Sequence, residues 1–126
     1  MAAQRGNNDP RYQWAAVNAF SHYLLGQYDA SLSWAREQLY ANPNHLQALA
    51  IRAAALAQLG RTGEAANAAG VLLSNYPGLT VERHLRNFHW KLPDDIAHYR
   101  DGLVKAGIPF SRLTLVETSP KLAADS

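Results

Sequence analysis

The sequence predicts an all-α fold in which antiparallel helical hairpins stack side by side as an α-solenoid. Three observations point there. The chain matches itself at an offset of 34 residues, apolar positions within each unit advance by three and four, and glycine and proline recur at fixed places in the period. Gln13, Ala16, Ala19, Leu25, Gly26, Ala35, Leu39 and Pro43 fall on Gln47, Ala50, Ala53, Leu59, Gly60, Ala69, Leu73 and Pro77, eight identities in 34 pairs. In so alanine-rich a chain, chance supplies roughly three.

The first helix is expected from Pro10 to Leu25, with Trp14, Val17, Phe20/Ser21 and Leu24/Leu25 along one face. Asp9 is its N-cap, and Pro10 suits the first helical position because the amide it lacks would have no partner there. Gly26 ends it, since a glycine enters the left-handed region at low steric cost. A second helix follows from Tyr28 to Ala41, carrying Leu32, Ala35 and Leu39, and Pro43 stops it. Residues 46–79 repeat this plan. Small residues, Ala19 with Ser31 and Ala53 with Ala65, are placed for close helix approach, while Leu25, Leu39, Leu59 and Leu73 supply bulk.

The period fails after Leu79. A shorter helix is read from Thr80 to Phe88, and another from Pro93 to Ala106 before Gly107 and Pro109. The latter has Ile96, Tyr99 and Leu103 on one face and Asp94, Asp95, His98, Asp101 and Lys105 on the other. Such a pair with a polar outer side is what the end of a row of hairpins requires, because its last apolar face has no successor. The expected layout is a flexible N-terminus over 1–9, a helical domain over 10–106 (units 12–45 and 46–79, capping pair 80–106) and a tail over 107–126. Within that tail LTLVE, Leu113 to Glu117, is expected to dock as an extended segment or on a neighbouring chain.

A 34-residue helix–turn–helix unit with a small residue mid-way in its first helix, Gly before the turn and Pro at the end resembles the tetratricopeptide repeat. The units depart from the usual pattern at Ala15 and Leu49, and at Ala35 and Ala69 where bulk is common. The closing segment, GLTVERHL and then PDDIAHYRDGLVKAGIP, looks like the end of bacterial chains in which these repeats follow a class III adenylate/guanylate cyclase or a winged-helix DNA-binding domain. That resemblance implies the C-terminal regulatory or scaffolding part of a larger signalling protein. None of the cyclase's metal-binding aspartates or nucleotide-binding motifs maps onto this chain.

Composition narrows the classes. The 126 residues suffice for one core without staples, and 12 Lys and Arg against 10 Asp and Glu leave a net charge of only +2. Nucleic acid is therefore disfavoured as a partner despite a pI of about 9.1. The chain has no cysteine, which excludes disulfides and thiolate metal sites and favours a cytoplasmic location. No apolar run reaches the roughly 20 residues of a membrane span, and no secretory signal opens the sequence.

The repeat family's geometry implies a concave groove lined by Gln13, Ala16, Phe20 and Tyr23, then Gln47, Ala50, Ala54 and Ala57, which takes a protein or peptide partner. Some members clamp acidic chaperone tails with Lys and Asn; Ala16, Phe20, Ala50 and Ala54 stand in those places and disfavour that subclass. Phe20 and Tyr23 either anchor a partner or are buried against further repeats. Self-association through exposed terminal helices is the other assembly expected.

The run ERHLRNFHWK interleaves Arg83, Arg86 and Lys91 with Trp90, a composition that holds phosphates and stacks bases, and gives the alternative reading as a phosphate-ligand or nucleic-acid effector domain. Its bland reading is a capping helix with a solvated basic side. Asp94 and Asp95, just after Pro93, read as first-turn charges facing the helix dipole rather than as a catalytic pair. The histidines nowhere show the i, i+4 spacing of a zinc helix, so no metal or other cofactor is expected, and His22 reads as a packed or groove-facing imidazole. No serine sits in a nucleophile elbow, and the chain is expected to be non-catalytic.

Overall fold

The computed structural model describes residues 14–88 and 92–111. Among them there are helices and no strand: α1 (Ala15–Leu24), α2 (Tyr28–Ala41), α3 (Leu46–Gln58), α4 (Thr62–Asn75), α5 (Val81–Leu85), a 3-10 turn over Arg86–Phe88, and α6 (Pro93–Ala106). The start expected at Asp9 and Pro10, and the LTLVE segment, lie outside the described residues.

The two hairpins close by the same chemistry. After α1, the Gly26 amide donates to the Tyr23 carbonyl at 2.9 Å and the Gln27 amide to His22 at 2.8 Å; after α3, Gly60 donates to Ala57 and Arg61 to Leu56, each at 3.0 Å. This paired bonding satisfies carbonyls orphaned at a helix end, and it needs a residue at positive φ. Gly26 and Gly60 provide it at 77° and 78°. Between the hairpins, α2 stops before Pro43, and α3 is capped by an imidazole, His45 Nδ1 accepting from the Ala48 amide at 3.2 Å. Burial lowers the pKa of His45, which keeps that nitrogen free to accept.

Within each hairpin the helices meet over small side chains. Ala19, Ser31 and Ala35 are buried between α1 and α2, and Ala53, Ala65 and Ala69 between α3 and α4. Ser31 is a polar group in this seam and satisfies itself by donating to the Ala19 carbonyl at 2.7 Å. At its counterpart Ala65 there is nothing to satisfy. Helix α3 is the centre of the molecule: α2, α4 and α6 all pack on it, and from Ala48 to Ala57 only Arg52 escapes full burial.

Leu25 departs from expectation, for it is 70% exposed, and its counterpart Leu59 is only half-buried. The reason is positional. Both residues are C-caps at the hairpin tip, past the last inward-facing turn, and the bulk at that end of the first hairpin is Tyr23.

The ending is more integrated than a cap and a tail. Thr80 caps α5 by accepting from the Arg83 amide at 3.2 Å, and the next free amides, Val81 and Glu82, donate to Pro109 and Phe110 carbonyls at 2.8 and 2.9 Å. The segment after α6 thus returns to close α5, with Ile108 buried. Helix α6 does not continue the row as the second member of a pair; it crosses back over α3 and touches α1.

An Ala53→Leu substitution inserts a branched side chain into the buried α3/α4 seam, where overpacking costs about 1–3 kcal/mol. Chemical denaturation is expected to show a lower midpoint with an unchanged slope, and an unshifted midpoint would refute the close approach.

Candidate functional site

Six of the expected groove residues are described on α1 and α3, Ala16, Phe20 and Tyr23 on the first and Ala50, Ala54 and Ala57 on the second, and of these Tyr23 and Ala54 meet Gly102 and Phe20 meets Tyr99 of α6. All six are buried, which corrects the expectation of an open groove. The chain's own α6 fills it. Gln47 is half-buried, and Gln13 lies outside the described residues.

Gly102 is the crossing point. A Cβ built there would sit 2.2 Å from the Tyr23 hydroxyl and 3.0 Å from Ala54 Cβ, so no larger residue fits without moving α6 or Tyr23. Tyr23 is itself pinned. Its hydroxyl donates to the His98 carbonyl at 2.8 Å and accepts from Gln58 Nε2 at 3.1 Å. Burial pushes its pKa far up, so the phenol stays a donor. Tyr28 Oη and His98 Nε2 share a hydrogen bond of 2.7 Å, and the His98 ring lies 4.6 Å from that of Tyr23. On the rim, Gln58 donates to Asp101 at 3.1 Å and accepts from Lys105 at 3.2 Å, and Lys105 pairs with Asp101 at 2.9 Å. Lys105 and Gln58 lower the Asp101 pKa, but that rim is exposed and screened.

Further along the groove the contacts become aromatic. Phe20 meets the edge of Tyr99 at 5.0 Å and Phe88 at 5.6 Å. Tyr99 is fully buried and shares a 2.8 Å hydrogen bond with His84 Nε2. Burial lowers the His84 pKa to about 4 and raises that of Tyr99, so both partners are neutral around pH 7.

The basic run separates into two faces. Arg83 and Arg86 are exposed, while His84 and Phe88 turn into the aromatic cluster, as a packed capping helix requires. Trp90 and Lys91 lie outside the described residues. Arg83 borders an open recess of about 430 Å³ walled by Leu46, Tyr76, Pro77 and Leu79. Asp94 and Asp95 occupy the first turn of α6 after Pro93. His22 is half-buried, and its Nδ1 is 2.7 Å from the Asn18 carbonyl of its own helix. Among the described residues no three His, Cys, Asp or Glu converge for a metal ion.

The periodicity did not reveal Gly102, Gln58 or the Tyr28–His98 pair. Gly102 carried a signal, since a glycine amid a helix costs about 1 kcal/mol relative to alanine and so asks for a packing reason. The polar pairs carried none, because their partners lie 35 to 75 residues apart in the chain. No family model matches the chain, and neither does any curated protein or solved structure.

Two outcomes test this site. Gly102→Val is expected to loosen α6, with faster amide exchange across 93–106 and a lower melting temperature, whereas retention of protection would show that the crossing is not tight. For His84, the folded pKa of about 4 lies below the ordinary 6.5, so its contribution to stability is complete above 6.5 and is lost as the pH falls from 6.5 towards 4. The loss is about 3 kcal/mol by linkage. In His84→Gln this part of the acid limb should be missing from a pH series of denaturation midpoints; superimposable pH slopes would contradict it.

Proposed function

We propose that the chain is a non-catalytic protein-interaction module of the tetratricopeptide type, whose concave face recognises amphipathic helices. One observation carries this reading: a single apolar face running over α1 and α3 already seats such a helix, α6, with Gly102 against Ala54, Tyr99 against Phe20 and polar ties at the rim. Helix-in-groove recognition works through apolar anchors at helical spacing, and Tyr99, Leu103 and Ala106 have that spacing. A partner helix then binds by exchange with α6. The closing-segment resemblance further supports a place in the C-terminal regulatory part of a larger bacterial signalling protein, such as a nucleotide cyclase.

The test is affinity capture by the whole chain with a synthetic peptide of residues 93–106 as competitor. A genuine groove partner is retained in proportion to the protein loaded and is released by the peptide, and Gly102→Val raises its capture by freeing the face. Capture that the peptide leaves untouched, or no retained protein with either variant, removes the groove as the binding site.

The second reading, a phosphate-ligand site, is favoured by one feature, Arg83 at the edge of the recess beside Tyr76. Nucleotide titration at two salt concentrations decides it: binding that weakens steeply with salt and disappears in Arg83→Ala supports it, and an unsaturable signal ends it.

A further inference from the structure

Of the glycines inside described helices, Gly63, Gly70 and Gly102, only the last is required by its surroundings. A Cβ built on Gly63 or Gly70 would meet nothing within 4 Å, whereas one on Gly102 would run into the Tyr23 hydroxyl, with Ala54 Cβ at 3.0 Å and Tyr23 Cζ at 3.1 Å behind it. That hydroxyl is held in place. Gln58 Nε2 donates to it at 3.1 Å, and it donates in turn to the His98 carbonyl at 2.8 Å. A carbonyl inside a helix accepts the amide four residues on, here that of Gly102, and keeps a second lone pair. Helical side chains lean towards the N-terminus, so a Cβ at residue 102 would cover the approach to that lone pair. Tyr23 thus reads the backbone of the seated helix through a gap that glycine alone leaves.

We propose that the groove selects its partner helix by the pattern Tyr-x-x-Gly-Leu-x-x-Ala, with which Tyr99, Gly102, Leu103 and Ala106 seat α6. The inference rests on the reading of the groove as a helix site reached by exchange with α6, and it specifies which helices qualify. Each fixed position has its reader. The aromatic ring needs a hydroxyl, because Tyr99 is buried against Phe20 and shares its hydrogen bond with His84, which a phenylalanine would leave without that partner. The glycine is read by Tyr23 and Ala54. Leu103 and Ala106 are buried in turn, and they keep the aliphatic and the small residue on the side that faces the groove. The four positions between are exposed, and Asp101 and Lys105 reach the groove only through Gln58, on a rim where water competes. Apolar spacing alone would admit many amphipathic helices. The steric bar at the glycine rejects those that differ by a single methyl group, which is selection against wrong partners rather than for the right one.

Two measurements test this, and the first needs no partner. In the whole chain, Gly102→Ala is expected to lower the melting temperature and to speed amide exchange across 93–106. In a Tyr23→Phe background the same change should cost much less, because the closest obstacle is gone, and Gly70→Ala, at an open helical position, should cost nothing. Equal losses with and without the Tyr23 hydroxyl overturn the proposal. The second measurement titrates labelled peptides of residues 93–106 into the whole chain, both wild type and Gly102→Val. The unaltered peptide is expected to bind, one carrying Tyr99→Phe to bind less well, and one carrying Gly102→Ala to bind roughly ten-fold more weakly or worse. Equal affinity for the unaltered and Gly102→Ala peptides overturns the pattern and leaves the groove standing as a helix site. Binding of no peptide to either chain, with the Tyr23 coupling present in the first measurement, overturns exchange at the groove and the partner rule with it.

Discussion

The close approach of α3 to its neighbours is the constraint on which the rest of the structure depends. A helix satisfies its own backbone, so it can be enclosed on every side if its side chains ask for no water. Ala48, Ala50, Ala53, Ala54, Ala55 and Ala57 meet that condition, and they keep the surrounding helices near enough for the remaining space to be filled by Leu49, Ile51 and Leu56. Alanine also loses no side-chain entropy on burial. The cost is that each alanine removes little apolar surface by itself. Cohesion must come from the number of helices sharing α3, and for that reason α6 is part of the fold rather than an ornament on it.

How α6 binds differs along its length. Around Tyr99 the contact is aromatic and dry, with His84 and Tyr99 held neutral by the same burial that makes their hydrogen bond worth having. Around His98 and Asp101 it is polar and open to water, and hydrogen bonds there exchange for water with a net gain of only about 1 kcal/mol each. The aromatic half supplies the affinity. The polar half sets register, because Tyr23 reaches the His98 carbonyl only when Gly102 lies directly over it.

Local chemistry in the sequence was legible and long-range packing was not. Gly26, Gly60 and Gly107 announced three helix ends, and the structure builds all three with the same bonds; α2 and α6 begin and end where their punctuation puts them. Those features depend on residues within one turn of each other. The repeat resemblance also implied a common face for Ala16, Phe20 and Tyr23 of α1 and Ala50, Ala54 and Ala57 of α3, and all six are buried. It could not identify what covers that face, since Phe20, Tyr23, Ala50 and Ala54 would be apolar whether facing α6 or a partner. The polar side of α6 misled for a related reason. His98, Asp101 and Lys105 read as a solvated stripe, yet they flank the apolar seam closely enough to reach Tyr28 and Gln58. Leu25 misled because identity across the repeat signals a shared turn, and a residue at a hairpin tip is inward only if another element reaches over the tip.

The two ends of the row are unlike, and the difference follows from how each disposes of apolar surface. Beyond α4 the chain spends residues 79–88 and 92–110 on closure: Leu79 and Val81 turn inward, Phe88 enters the aromatic cluster, and Ile108 to Phe110 come back to bond α5. At α1 the described residues include no such device, and Trp14, Val17 and Leu25 keep an indole and two aliphatic side chains in water. Isolated exposed apolar residues are ordinary on protein surfaces. These are not isolated, because they are spaced along one helical stripe and repeat the positions that α3 uses for docking. A helical repeat that needed no neighbour on that side would gain solubility at little structural cost by carrying Lys or Glu at Val17, which is about half exposed. That it carries valine there, on a helix without a single charge, makes contact the simpler physical account of α1 than solvation.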